Sequence, residues 1–191
     1  MKKFFVALCG FVLFVTSVIA EEQKVKWTSL FNNTNLNGWV KMNDGAFTAT
    51  NRVIHIEGGK GWLRTERAFT NFIFEVEWRG LETNYNSGIF VRAPIDGKPW
   101  VTNVWQVNLK QSAIGELLEG SNKIVSVNAP KLPAGEWVKF RIEARGRELM
   151  LDVNGQRTWK FSEFMPTNGH LGLQAEGKTF EFRNLNVTDL P

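Results

Sequence analysis

An all-β fold, two antiparallel sheets packed as a sandwich or jelly roll, is what this sequence predicts, and three observations predict it. No stretch of ten or more residues repeats apolar side chains at the period of an amphipathic helix. Short runs that alternate apolar and polar recur instead, the pattern of strands with one buried face. Gly, Asn and Pro turns separate those runs at regular spacing, as in sandwiches and jelly rolls.

The first twenty residues stand outside that fold. Lys2 and Lys3 precede an apolar run from Phe4 to Val15, and Val18-Ile19-Ala20 supplies small residues before Glu21-Glu22. This reads as a bacterial-type secretory signal peptide over residues 1–20, cleaved after Ala20, which makes the protein secreted or periplasmic. The apolar run is shorter than the roughly 20 residues of a membrane span, so no membrane association is expected once it is removed. Cys9, the only cysteine, lies in this segment and too early for a lipoprotein cleavage box, so the mature chain has no thiol or disulfide. Residues 21–191 have the length of one domain.

Each strand has its own signal. Leu30 to Trp39 is a turn-rich lead-in anchored by Phe31 and Trp39, and Phe47 to Ile56 alternates up to Gly58-Gly59. Phe72 to Arg79 turns Phe72, Phe74, Val76 and Trp78 inward and Glu75, Glu77 and Arg79 outward. Asn86-Ser87-Gly88 is a tight turn, since Asn and Gly tolerate positive φ. It opens a strand with Gly88, Phe90 and Arg92 on one face and Ser87, Ile89 and Val91 on the other. Val104 to Leu109 alternates likewise. Trp137 to Ala144 and Glu148 to Val153 flank the hairpin turn Arg145-Gly146-Arg147, and Asn154-Gly155 starts another hairpin. His170 to Gln174 and Phe180 to Val187 end the chain.

Charge excludes one large class of partner. The formal charge of +4 becomes +2 once Lys2 and Lys3 are removed, and the basic residues are scattered rather than clustered. That argues against nucleic acid. Eight Trp and fifteen Phe against one Tyr are best read mainly as core. Trp105 is expected in the core and Trp62 fits either a core or a binding role. Trp100, after Gly97-Lys98-Pro99, is expected on a loop where an indole face could stack on a sugar ring.

The order of these segments resembles the 3-keto-disaccharide hydrolase family. The resemblance rests on the lead-in to Trp39, Leu63-Arg64-Thr65, Phe72 to Arg79, Asn86 to Arg92, Gln106, Gly135-Glu136-Trp137, Asn154-Gly155, Gly172-Leu173-Gln174 and Phe182-Arg183-Asn184. It covers nearly the whole mature chain. It implies a concanavalin A-like jelly roll and a secreted enzyme acting on sugars oxidised to a ketone at carbon 3. Such a ketone acidifies the hydrogen on carbon 2. A base removes it, the enolate expels the group on carbon 1, and water adds afterwards. The site therefore needs a base, a positive group or metal for the enolate oxygen, and a cradle for hydroxyls.

Period places Arg79, Arg92, Gln106 and Gln174 on polar registers, and they are expected to converge on one curved sheet face with Glu77 and Trp100 as further contacts. Arginine's fork grips vicinal hydroxyls, and glutamine both donates and accepts. On that reading Arg92→Ala abolishes activity and spares the fold. Family members carry Glu two residues before the glutamine matching Gln106 and Asp three after it; this chain has Val104 and Leu109 there. The base candidates are Glu116 and His170. A divalent metal is open as a cofactor, but two isolated histidines without thiols present no ligand set. The expected partner is a carbohydrate, and oligomeric state is not written in the sequence. The alternative function is a carbohydrate-binding module that lost its catalytic carboxylates. A laminarinase-type retaining hydrolase would need two carboxylates spaced along one strand with an Asp between them, and neither Glu75-Val76-Glu77 nor Glu116 to Glu119 supplies it.

Overall fold

The computed structural model describes residues 26–95, 104–128 and 132–191. The leader 1–20 and Trp100 lie outside the described residues. In chain order the strands are β1 (Thr28–Ser29), β2 (Trp39–Asn43), β3 (Ala46–Thr50), β4 (Val53–Gly58), β5 (Lys60–Thr65), β6 (Phe72–Gly80), β7 (Gly88–Ala93) and β8 (Trp105–Asn108). There follow β9 (Leu117–Glu119), β10 (Asn122–Val125), β11 (Val138–Arg145), β12 (Glu148–Val153), β13 (Gln156–Phe161), β14 (His170–Glu176) and β15 (Phe180–Asp189). They form two sheets. The first runs β13-β12-β11-β6-β15-β4-β3 with β1 on β15, and the second runs β10-β9-β8-β7-β14-β5-β2. Every pairing is antiparallel, as the sequence predicts.

The sheets bury their facing sides in one apolar cluster. Phe72, Phe74, Val76 and Trp78 of β6 enter it from the first sheet, and Leu63, Ile89, Val107 and Leu173 from the second. Trp78 meets Phe140 edge to face at 5.4 Å, and Trp105 meets Phe164 at 5.3 Å, so Trp105 is core as expected. Edge-to-face pairs of this kind add about 0.5–1.5 kcal/mol each beyond their buried area. Phe31 and Trp39 anchor the lead-in, with the Trp39 indole donating to the Leu30 carbonyl at 2.6 Å.

One expected strand is two. Phe47 to Ile56 is interrupted at Asn51-Arg52, both left-handed with φ of 49° and 65°, and β3 folds back on β4. The outer face of the first sheet is a lattice of ion pairs. Glu75 meets Lys139, Glu77 meets Arg183, Arg79 meets Glu181, and Arg157 binds Asp152 across β12 and β13.

Candidate functional site

The two glutamines meet. Gln106 and Gln174 sit on the outer face of the second sheet, and Gln106 Nε2 donates to Gln174 Oε1 at 3.0 Å. Gln174 Nε2 in turn donates to Glu176 Oε2 at 2.9 Å. A missing side chain permits this. A Cβ on Gly88 would lie 1.9 Å from Gln106 Nε2, so only glycine lets the amide lie flat across β7. Gly172 does the same for Trp62, whose Cε3 would be 2.4 Å from its Cβ.

The rows of that face follow from register. Gln106 faces Phe90, Phe90 faces Gly172, and Gly172 faces Arg64. In the next row Asn108 faces Gly88, and Gln174 faces Trp62. Trp62 and Phe90 cross edge to face at 5.6 Å and pack with Ala93, Val104 and Met42 in a small apolar cluster apart from the core. Trp62 Nε1 and Arg64 Nε are buried and have no acceptor among the described residues. Trp78 Nε1 in the main core and His55 Nε2 on the first sheet are unpaired among these residues as well, so what distinguishes Trp62 and Arg64 is that the two lie together on one sheet face. The sequence left Trp62 open and treated Arg64 only as part of a resemblance. Their two-residue spacing on β5 was the available signal.

His170 opens β14 on this same side, next to Leu171 of the core and opposite Ala93. Its Nδ1 lies 2.8 Å from the Thr65 carbonyl. A carbonyl only accepts, so Nδ1 carries a proton, and Nε2 is the ring nitrogen left to take one from a substrate. Glu116 also belongs to this face, because its carbonyl extends the β8–β9 ladder to Asn108 while Leu117 enters the core. Its carboxylate pairs with Lys123 Nζ at 2.7 Å. Glu116 is level with Asn108 and Gly88 and His170 with Ala93, so the two stand three strand spacings and about five residues apart, roughly 20 Å, too far to act on one bond.

The expectation that two arginines join the glutamines is corrected. Arg79 and Glu77 lie on the outer face of the opposite sheet. Arg79 grips Glu181 through Nε at 2.6 Å and covers Trp137 at 4.5 Å, and Glu77 accepts from Arg183 at 2.7 Å and Asn184 at 2.9 Å. Neither is on the glutamine wall.

Arg92 is displaced by a bulge. Val91 and Arg92 together oppose Leu171, because His170 pairs with Ala93 and Gly172 with Phe90. Arg92 takes φ of 48°, and its side chain leaves the expected face. Its guanidinium, almost fully buried, donates to the carbonyls of Thr70 at 2.6 Å, Gly146 at 2.7 Å and Pro166 at 2.6 Å. It ties three loops together and has no nitrogen to spare for a sugar. The sequence expectation that Arg92→Ala spares the fold is therefore reversed.

Glu77 gives a pH test of the paired face. Partial burial raises its carboxyl, but hydrogen bonds from Asn184 and Arg183 outweigh that and hold it below its ordinary value. A depressed folded value contributes stability above the unfolded value of about 4.3, which is lost as pH falls through the folded one. Glu77→Gln should therefore unfold earlier than the parent at pH 7, and the gap should close as pH falls below about 4.3 and through the folded value. Thermal unfolding across that range checks this, and a gap independent of pH refutes it.

Among the described residues no three His, Asp or Glu side chains cluster closely enough to hold a metal ion. Val104 and Leu109 explain part of this: Val104 packs on Trp62 and Phe90, and Leu109 is in the main core. The site offers amides, a guanidinium, an indole and an imidazole, which suit hydroxyl and carbonyl oxygens better than a metal.

Residues 26–188 match the sequence model of a family described as the 3-keto-alpha-glucoside-1,2-lyase-like domain. No curated protein matches the chain. Among solved structures, a protein of Parabacteroides distasonis ATCC 8503, provisionally described as a glycosyl hydrolase, is similar with a TM-score of 0.72 at 19% identity, covering 86% of this chain and 94% of that one. The carbohydrate binding module CBM66 from Bacillus subtilis follows with 0.69 at 16%, covering 83% and 98%. A Bacillus licheniformis beta-glucanase has 0.58 at 14%, covering 90% and 100%. At these identities the likeness is one of fold, the concanavalin A-like jelly roll.

Proposed function

Because the chain belongs to the 3-keto-alpha-glucoside-1,2-lyase-like family, we propose that it is an exported enzyme that cleaves 3-keto-glycosides on the outer face of its second sheet. The observation that carries this reading is the Gln106–Gln174–Glu176 chain of hydrogen bonds beside two buried donors, Trp62 Nε1 and Arg64 Nε, that lack acceptors. Export rests on the apolar leader over residues 1–20.

Each residue has work that fits its chemistry. His170 Nε2 takes the proton from carbon 2, and the electron pair of that C–H bond becomes the C2=C3 double bond of an enolate. Arg64, which is only partly buried, donates from the outer end of its guanidinium to the enolate oxygen, where negative charge develops, and Trp62 beside it packs the wall. The enolate collapses to a ketone with a C1=C2 double bond, the bond from carbon 1 to the leaving oxygen breaks, and the departing alkoxide takes up the proton that His170 removed, directly or through water. Water then adds across the resulting double bond, its hydroxyl on carbon 1 and its proton on carbon 2. Gln174 and Glu176 lie four and six residues along β14 from His170, so with Gln106 they hold hydroxyls of the sugar on the far side of the cleaved bond, the amides donating and the carboxylate accepting.

A second reading, a carbohydrate-binding module without catalysis, is favoured by Val104, which fills with an apolar side chain a position where family members carry a carboxylate. One experiment separates the two. Purified protein incubated with 3-keto-trehalose should release glucose, and His170→Ala should lower the rate by at least about a hundredfold while 3-keto-trehalose still binds. Binding without release by the parent protein rejects the enzyme in favour of the module; neither binding nor release rejects both.

A further inference from the structure

We propose that a cleft on the opposite side of the molecule, between the β3–β4 turn and the β15 bulge, binds a sugar that carries one anionic substituent. The cleft encloses about 370 Å³ and is lined by Asn33, Asn51, Arg52, Val53, Arg183 and Asn184. That volume lies within the usual range for small-molecule sites. Its position outside the first sheet separates it from the glutamine wall.

Three departures from regular backbone build it. The two-residue turn Asn51-Arg52 has positive φ at both positions, a geometry that favours Asn followed by Gly. Asparagine is in its place. Arginine is not: a long β-carbon-bearing side chain stands where glycine is preferred, and it lines the cleft. In β15 the register slips between Arg183 and Asn186, with Asn184 at φ of 53°. Asn33, at φ of 66°, is set by a turn in which the Asn32 carboxamide accepts from the backbone of Thr34 and Asn35, each at 2.9 Å. A local rule broken without a packing gain marks a functional position more often than an accident.

The lining selects the ligand. It holds three carboxamides and two guanidiniums and no carboxylate, so donors outnumber acceptors. Arg52 has no carboxylate partner among the described residues, whereas Arg183 commits only Nε, to Glu77 at 2.7 Å, and rests its plane on Trp137 at 3.9 Å. A planar anion such as a carboxylate, or a phosphate or sulfate, satisfies a free guanidinium in bidentate fashion. The carboxamides of Asn33 and Asn51, which both donate and accept, match hydroxyls on the attached ring, Asn184 keeps its oxygen for one more because its Nδ2 is given to Glu77 at 2.9 Å, and the side chain of Val53 gives that ring an apolar floor.

The test uses the purified protein labelled with nitrogen-15 and titrated with glucuronate, glucose 6-phosphate, glucose 6-sulfate and glucose. The anionic sugars should shift the backbone amides of Asn33, Asn51, Arg52 and Asn184 saturably and glucose should not; whichever binds most tightly identifies the anion. Arg52→Gly and Arg52→Asn both suit positive φ. Each should weaken binding about tenfold or more and leave the melting temperature unchanged or higher. Equal shifts with glucose, shifts confined to the Gln106 and Gln174 face, or undiminished binding by both variants overturns the proposal. The reading of the second sheet stands or falls separately, because no residue is shared.

Discussion

Arg92→Met is expected to lower stability by about 3–5 kcal/mol, seen as a fall in melting temperature of roughly 10 °C for a chain of this size. Methionine keeps most of the side-chain volume, so the loss isolates the hydrogen bonds. Three carbonyls, on Thr70, Gly146 and Pro166, lose a charge-assisted donor, and the Asn71 carboxamide loses a longer contact at 3.3 Å. Unpaired acceptors that stay partly buried cost more than the mean value of a hydrogen bond. Burial pushes the Arg92 guanidinium below its ordinary value, yet arginine stays charged at any working pH. Arg92→Lys should fall between, since one ammonium cannot reach three separated oxygens. A change in melting temperature under 2 °C for Arg92→Met would show that the loops are held elsewhere.

The second large effect sets two glycines of one sheet face against each other. Gly172→Ala would push a Cβ to 2.4 Å from Trp62 Cε3 and 2.8 Å from Cζ3. That ring is rigid, fully buried and braced edge to face on Phe90, so it has nowhere to go. Overpacking of this kind costs about 1–3 kcal/mol, and the upper end is expected here. Gly88→Ala meets only the Gln106 side chain, from Nε2 at 1.9 Å back to Cγ at 2.6 Å, which can turn aside about its side-chain torsions once its hydrogen bonds break. Its stability should change by under about 1 kcal/mol, but the hydrogen bond to Gln174 breaks, and binding of 3-keto-trehalose should fall with it. Denaturant unfolding and binding titration on the two variants give four numbers. Full binding by a well-folded Gly88→Ala would remove the glutamine pair from the site.

Much of the strand pattern is legible along the chain because alternation and turn chemistry are local. Phe72 to Gly80 and the hairpins at Gly146 and Asn154-Gly155 follow from period and φ alone. The split at Asn51-Arg52 left a trace as well. Apolar core positions are odd before it, at Phe47 and Ala49, and even after it, at Ile54 and Ile56. That change of parity is the mark of a fold-back, masked by Val53. Arg92 left no such trace. Its bulge depends on a strand that arrives much later, and its carbonyl partners lie 22, 54 and 74 residues away.

What the residues determined by themselves is which side chains turn outward and where the chain reverses, because both depend on neighbours two to four positions away. Tertiary structure alone decided which outward faces belong to the same sheet. Glu77 and Arg79 on β6 and Gln106 on β8 satisfy the same period, but strand pairing puts them on opposite sides of the sandwich. Pairing is chosen by the summed burial of two apolar faces, a quantity spread over the whole chain. The same sum brought Gln106 to Gln174, a contact between residues 68 apart.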